Sequence, residues 1–202
     1  MKIICIGRNY TDHAKEMRNP VPSEPVFFLK PDSALLRRNR PFFYPEFSQE
    51  IHYELELVIR INKVGKYIAE KYAQTYYNEI ALGIDFTARD IQRECKAKGL
   101  PWEKAKAFDW SAALSRFVSL DQYDRNAINF HLLKNDELVQ KAQVMDMIFS
   151  FDEIISYVSR YMTLKTGDII YTGTPSGVGP VQIGDQLAGF LNQEKFISCS
   201  IK

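Results

Sequence analysis

Apolar and polar positions alternate with a period of two over much of this chain, and only a few stretches carry the three-to-four spacing of an amphipathic helix. Residues 2–6 read as a short apolar strand, broken by Gly7-Arg8-Asn9-Tyr10. Residues 11–18 then read as a brief helix, which Pro20, Pro22 and Pro25 bring to an end. A strand follows near Val26–Leu29, then a proline-rich loop through Pro45. The clearest alternation comes next, over residues 51–61. As one strand it puts Ile51, Tyr53, Leu55, Leu57, Ile59 and Ile61 on one face and Glu54 and Glu56 on the other. Residues 67–79 are expected to be helical and residues 80–86 to form another apolar strand. Thr87 then has the spacing of a helix cap, with Asp90 three residues on, and Gly99 and Pro101 close that helix. Residues 127–143 predict a hairpin turning at Asn135-Asp136. Ser150 and Glu153 form a second capping pattern, ahead of a helix carrying Ile154, Ile155, Val158 and Met162. The remainder reads as strands and turns, including a strand from Asp168 to Tyr171.

No internal repeat, low-complexity segment or linker-like shift divides the 202 residues, so one domain spanning 1–202 is expected. At 46% hydrophobic and 25% charged residues, the composition is that of an ordinary globular protein with a sizeable core. The 26 basic and 25 acidic residues balance to +1 without a long run of either sign, which gives no reason to expect nucleic acid or an anionic membrane as a partner. Cys5, Cys95 and Cys199 form no Cys-x-x-Cys pair, which suits a reducing compartment. No apolar run approaches the length of a membrane span, and the expected location is the cytoplasm.

The alternation places Glu54 and Glu56 roughly 6.5–7 Å apart along one strand face, close enough to converge on one hard cation. The same pattern also fits a half-buried strand with a solvated acidic edge. Asp85, at the end of an apolar strand, can project a third carboxylate into a site or act as a turn residue. Three carboxylates form a hard oxygen set that suits Mg²⁺ or Mn²⁺, whereas His13, His52 and His131 are too scattered for a zinc site. On a helix, His13 and Glu16 share a face, so Glu16 can orient and activate the imidazole as a base for water, although such a pair is more often a solvated helix face. Arg89 and Gln92 lie on the first turns of the helix after Asp85, where a substrate carboxylate is favoured. Lys106 follows the Gly99–Trp102 turn. Thr172–Gly179 is a Gly/Thr loop able to present N–H groups and a hydroxyl, or simply a tight turn.

Seven segments, taken in order, closely resemble the fumarylacetoacetate hydrolase family, most of all its compact acylpyruvase and oxaloacetate decarboxylase branch. The first is Gly7-Arg8-Asn9-Tyr10 with His13 and Glu16, followed by Phe28–Pro31, His52–Glu56 and Gly83–Asp90. Lys98–Trp102, Lys106–Asp109 and Thr172–Gly179 complete the series. The resemblance runs from Gly7 to Gly184. It implies an α+β, mostly β fold, a mixed β-roll with a few short helices, commonly assembled as a homodimer. It further implies Glu54, Glu56 and Asp85 as ligands to Mg²⁺ or Mn²⁺ and His13 with Glu16 as the water-activating pair. Lys106 would be catalytic, and Arg89, Gln92, Thr174, Tyr10 and Lys30 would contact a small 2-oxo acid. Because the first motif stands almost at residue 1, neither the longer N-terminal domain of some members nor a targeting extension is expected.

The implied chemistry has a common core. A 2-oxo acid chelates a divalent ion through its carboxylate and its oxo oxygen, which favours the enolate left when the C3–C4 bond breaks. The expected activity is therefore acylpyruvate hydrolysis to pyruvate and a carboxylate, oxaloacetate decarboxylation, or both. Isomerisation or decarboxylation of 2-hydroxyhepta-2,4-dienedioate-type compounds and oxaloacetate tautomerisation are the alternatives. Outside enzymes, a metal-binding β module would need the three carboxylates but give no purpose to His13, Glu16 and Lys106.

Overall fold

The computed structural model describes residues 1–11 and 21–202. Its strands are β1 (Ile3–Gly7), β2 (Val26–Lys30), β3 (Leu35–Arg37), β4 (Ile51–Tyr53), β5 (Leu55–Ile61), β6 (Tyr77–Asp85), β7 (Thr87–Ala88), β8 (Ala112–Leu114) and β9 (Val118–Ser119). They continue as β10 (Asn129–Lys134), β11 (Glu137–Gln143), β12 (Ile169–Tyr171), β13 (Gly179–Pro180), β14 (Gln186–Leu191) and β15 (Glu194–Ser200). The helices among the described residues are short: α1 (Glu70–Ala73), α2 (Arg89–Lys98), α3 (Glu103–Lys106) and α4 (Phe151–Tyr161). None is long and apolar enough to cross a membrane.

The main sheet runs in the order β2-β1-β12-β5-β6-β8-β3, with β9 paired to β6. It is mixed: β1 lies parallel to β12 and β3 to β8, whereas β5 is antiparallel to both β12 and β6. Four further strands form a second sheet, β11-β10-β14-β15, and β13-β4-β7 form a third. The expected mostly β roll is therefore the fold observed.

Alternation along β5 explains the curl. Leu55, Leu57, Ile59 and Ile61 join the large core beneath the second sheet and α4. Val58, on the other face, joins a smaller cluster with Ile3, Cys5, Ala81, Ala112 and Tyr171. Both faces are buried, so the face carrying Glu56 is the concave interior of the roll and not a solvated edge. Small residues make that interior possible. A Cβ on Gly83 would lie 2.3 Å from the Tyr171 ring, whose hydroxyl donates to the Ala113 carbonyl at 2.8 Å.

Several local expectations hold. The 127–143 hairpin turns at Asn135 and Asp136, both at positive φ (52° and 66°), as a two-residue loop requires. Ser150 and Glu153 make the reciprocal cap of α4. Gly99 ends α2 in the left-handed region at φ 62°.

Three expectations are corrected. The 67–79 helix shrinks to α1, a single turn packed on α4, because Tyr77 and Ile80 are recruited into β6. The 51–61 strand is two strands, broken at Glu54, where the chain passes from the third sheet into the main one. Thr87 does not cap α2. It lies in β7, and its hydroxyl turns to Glu54 Oε1 and Lys106 Nζ while Asp90 binds Ser48 and the Gln49 N–H.

Asp168, just ahead of β12, is buried and accepts from the Lys2 and Lys165 N–H groups at 2.7 Å as well as from the Lys2 ammonium, tying β12 to β1. Burial works against its charge, but these donors outweigh it and hold its pKa below the ordinary aspartate value. Its stabilising contribution is therefore complete above the unfolded pKa, about 3.9, and is lost as pH falls through the lower folded value. Asp168→Asn is expected to cost about 2 kcal/mol at neutral pH. Denaturant titrations should show the gap to wild type closing below about pH 4; a gap independent of pH would contradict the charged bonds.

Candidate active site

The register of the main sheet brings the acidic residues to one end of the roll. Glu56 pairs with Gly83 and Asp85 with Ala112, so the start of β5, the end of β6 and the start of β8 lie side by side. Parallel pairing of β1 with β12 carries Gly7-Arg8-Asn9 and Thr172-Gly173-Thr174 to the same end. Carboxylate oxygens of Glu54, Glu56 and Asp85 all lie within 4.8 Å of one another. All three residues are nearly buried, at 6%, 2% and 1% exposure, which rules out an ordinary solvated acidic edge.

The break at Glu54 has its own supports. The Glu54 carbonyl accepts from the Asp85 N–H at 2.8 Å, and the Leu55 N–H is taken by Gln140 Oε1 at 2.9 Å. Gln140 also donates to Thr174 Oγ1 at 2.8 Å, so a side chain from the second sheet fixes both Glu54 and the Gly/Thr loop. Gly173, at φ 102°, donates its N–H to Glu56 Oε2 at 2.7 Å; a Cβ there would lie 2.7 Å from the Asn9 Cβ. Asn9 in turn bonds the Phe149 and Thr172 carbonyls and the Phe149 N–H, locking the loop after β1 to the loop after β12.

Three cations answer the carboxylates. Lys106 Nζ sits 2.8 Å from both Glu54 Oε2 and Asp85 Oδ2. Lys30 Nζ lies 2.6 Å from Asp85 Oδ1 and donates to Ser111, whose hydroxyl donates to the Lys106 carbonyl. Arg89 reaches Glu54 Oε1 through one nitrogen and Gln92 Oε1 through another. Burial opposes the charge on Lys106, but Asp85 and Glu54 prevail and hold its pKa above the ordinary lysine value. Glu56 is left without a contacting cation among the described residues. Burial, then Asp85 and Glu54, push its carboxyl well above the usual range, and the Gly173 N–H only partly offsets them. Hard oxygen donors in one cluster, one of them short of positive charge, fit a divalent cation.

The cavity over this cluster is lined by Arg89, Gln92, Lys106 and Thr174 from the expected set, together with Arg8, Phe28, Lys96 and Trp102. Lys30 and Tyr10 lie behind it. Lys30 supports Asp85, while Tyr10 is buried edge-on against Phe130. His13 and Glu16 fall outside the described residues. Sequence reasoning missed Thr87, Gln140 and Ser111, whose roles depend on which hydroxyl or amide folding delivers. It also gave no role to Arg8, although that residue stands within a segment that carried the resemblance, and did not name Lys96.

A mixed roll with an acidic cluster and a buried lysine at one end of its sheet is the arrangement of an enzyme site built on strand ends. The chain belongs to the fumarylacetoacetate hydrolase family, whose model, described as fumarylacetoacetate (FAA) hydrolase C-terminal, matches residues 2–202. It is 47% identical over 186 residues to the mouse (Mus musculus) protein named oxaloacetate tautomerase FAHD1, mitochondrial, covering 92% of this chain and 84% of that one. Against oxaloacetate tautomerase YcgM of Escherichia coli it is 40% identical over 188 residues, covering 92% and 86%. Among solved structures it is similar to fumarylpyruvate hydrolase from Pseudomonas aeruginosa, crystallised in complex with Mn²⁺ and pyruvate. That match has a TM-score of 0.94 and 34% identity over 100% of this chain and 89% of the other.

Glu56→Gln keeps an acceptor for the Gly173 N–H but removes the carboxylate that lacks a cation. Calorimetric Mg²⁺ or Mn²⁺ affinity should fall on the order of a hundredfold, while thermal unfolding of the metal-free protein should show stability unchanged or raised by roughly 1 kcal/mol. A marked loss of metal-free stability would contradict the charge imbalance argued above.

Proposed function

We propose that this enzyme enolises a 2-oxo acid of the oxaloacetate class, interconverting its keto and enol forms with the help of Mg²⁺ or Mn²⁺ held by Glu54, Glu56 and Asp85. The observation that carries the reading is the buried, cation-poor Glu56 beside Asp85 and a protonated Lys106. The names of the mouse and E. coli relatives favour the same substrate.

When bound, the divalent ion would chelate the substrate's carboxylate and oxo oxygens and lower the cost of negative charge on that oxo oxygen. Enolisation takes one proton from C3 and places one on the 2-oxo oxygen; a water in the cavity would take the first, Lys106 would give the second, and the water would return its proton to the lysine, so that no atom leaves. Lys106 Nζ is the group that holds a proton beside the carboxylates, so it stabilises the developing oxyanion and supplies the proton there. Gln92, oriented by Arg89, and Thr174, oriented by Gln140, fix the substrate's plane. The aromatic wall of Phe28 and Trp102, whose ring centroids are 6.1 Å apart, keeps bulk water from the face opposite.

Acylpyruvate hydrolysis is a second reading, favoured by the fumarylpyruvate hydrolase neighbour and by His13 and Glu16 in the sequence. There the pair would activate water to attack the 4-oxo carbon. The C3–C4 bond would break, its electron pair leaving as pyruvate enolate, which gains a proton at C3. Decarboxylation of oxaloacetate would reach the same enolate by losing carbon dioxide.

Purified protein is expected to speed keto–enol interconversion of oxaloacetate above its spontaneous rate with Mg²⁺, and to lose that effect with a chelator. No metal-dependent effect on oxaloacetate and no pyruvate release from acetylpyruvate would refute the assignment. Lys106→Met should lower kcat for interconversion by roughly a hundredfold. His13→Ala should lower pyruvate release from acetylpyruvate far more than oxaloacetate interconversion, and equal losses would remove the division between the two reactions.

A further inference from the structure

The interior of the roll has a second end. Along the inward face of β5, Glu56 is followed by Val58 and then Arg60, which lies across from Ile169. On the same face of β6, Glu79 precedes Ala81, and Arg37 at the end of β3 stands beside Leu114. The acidic cluster and these residues are therefore at opposite ends of one interior, with Val58, Ala81, Ala112 and Tyr171 packed between them. A cavity of about 630 Å³ opens at this second end. It falls within the size range of small-molecule sites and shares no lining residue with the cavity over the carboxylates.

Its charge is one-sided. Arg37, Arg38, Arg60 and Arg116 line it with a single carboxylate, Glu79. Arg60 takes that carboxylate through Nε at 2.6 Å, and Arg116 pairs with Glu194. Each of these two guanidinium groups also lies 4.6 Å from a ring centroid, Arg60 over Phe117 and Arg116 over Phe196, so both form fixed walls. Arg37 and Arg38 are left over. Arg37 donates to the neutral Met1 sulfur at 3.9 Å, and neither arginine contacts a carboxylate among the described residues. The turn after β3 holds the pair at the rim. Arg38 and Asn39 both have left-handed backbones, at φ 64° and 52°, a conformation that arginine adopts at a cost, and Asn39 Oδ1 accepts from the Ser198 N–H at 3.1 Å.

We infer that this cavity is a second binding site, for a phosphate monoester carried on a flat ring, of the nucleoside monophosphate kind, with Arg37 and Arg38 taking the phosphate. A guanidinium presents a fork of donors that matches phosphate oxygens. A phosphate monoester carries nearly two negative charges at neutral pH, which answers both unmatched arginines, where a single carboxylate would answer one. Leu114 and Ile169, with the Phe117 and Phe196 rings, supply the apolar surface on which the ring lies. The site is separate from the 2-oxo acid reading of the acidic end and stands or falls without it.

Calorimetry on the Mg²⁺-loaded protein should show saturable binding of AMP. Adenosine, which lacks the phosphate, and ribose 5-phosphate, which lacks the base, should each bind roughly tenfold more weakly or worse. Arg37→Gln and Arg38→Gln should each weaken AMP binding by roughly tenfold, and the double variant should retain no preference for AMP over adenosine. Arg37→Lys, which keeps the charge and loses the fork, should fall between wild type and Arg37→Gln. Both side chains are exposed, so these changes leave the core intact. Glu56→Gln should bind AMP as wild type does; a loss there would move the phosphate to the acidic cluster and overturn the site. Absence of saturable AMP binding, ribose 5-phosphate binding as tightly as AMP, or an affinity indifferent to both arginines would overturn it equally.

Discussion

Three carboxylates gathered in one buried cluster are the constraint on which the rest of this structure depends. Taking even one carboxylate out of water is costly unless it is paired and hydrogen-bonded, and each neighbouring carboxylate adds repulsion. The chain answers from several separate elements. Lys30 comes from the end of β2, Arg89 from the first turn of α2 and Lys106 from α3. The charge balance, together with the packing of Phe28 against Trp102, therefore also fixes how the helical side of the site is attached to the sheet. Removing one such partner would leave a buried charge unanswered, an effect of about 3–5 kcal/mol in comparable settings.

The cluster is held by register as much as by charge. Glu56 faces the concave interior because β5 alternates, and it lies across from Gly83, the position at which β6 admits the Tyr171 ring. Below the carboxylates the interior is packed with Val58, Ala81, Ala112 and Cys5. That apolar floor denies the carboxylates any escape toward solvent. Above them the Asn9 and Gln140 side chains join segments distant in sequence. Oxygen donors fixed by packing and by hydrogen bonds to their neighbours meet an incoming ion with little reorganisation.

Much of this was legible in the sequence, and the parts that were not share a physical cause. Alternation over 51–61 correctly put Glu54 and Glu56 on the side away from Leu55, Leu57 and Ile59, because that pattern is dictated by the core. It did not reveal the break at Glu54, which is made by a side chain from the distant β11, Gln140. Likewise the Thr87 spacing looked like a helix cap, but a hydroxyl can serve either a backbone N–H or a buried ion pair, and here the ion pair prevails. The 67–79 segment failed as a helix for a related reason: pairing of Tyr77 with Ile61 adds a strand to the core, outweighing local helix preference. Arg8 was named within a motif yet given no role, because nothing in a one-dimensional pattern says which basic side chains already have partners.

The opposite end of the same sheet balances its carboxylates in a simpler way. There, Arg60 pairs with Glu79 and Lys2 with Asp168, so each carboxylate is matched to a single basic side chain. At the acidic end the arrangement is uneven: among the described residues Glu56 contacts no cation, and Arg8 and Lys96 contact no carboxylate. Pairing those groups with one another would have balanced the charges internally, but the cluster lies at the floor of the cavity with Arg8 and Lys96 outside it. A cluster short of positive charge at the bottom of a cavity is the kind of donor set that a divalent cation complements. If that is the division of labour, the carboxylates set which reactions are accessible through the shared enolate. The rim and the group that reaches C4 then decide which of those reactions a given oxo acid undergoes.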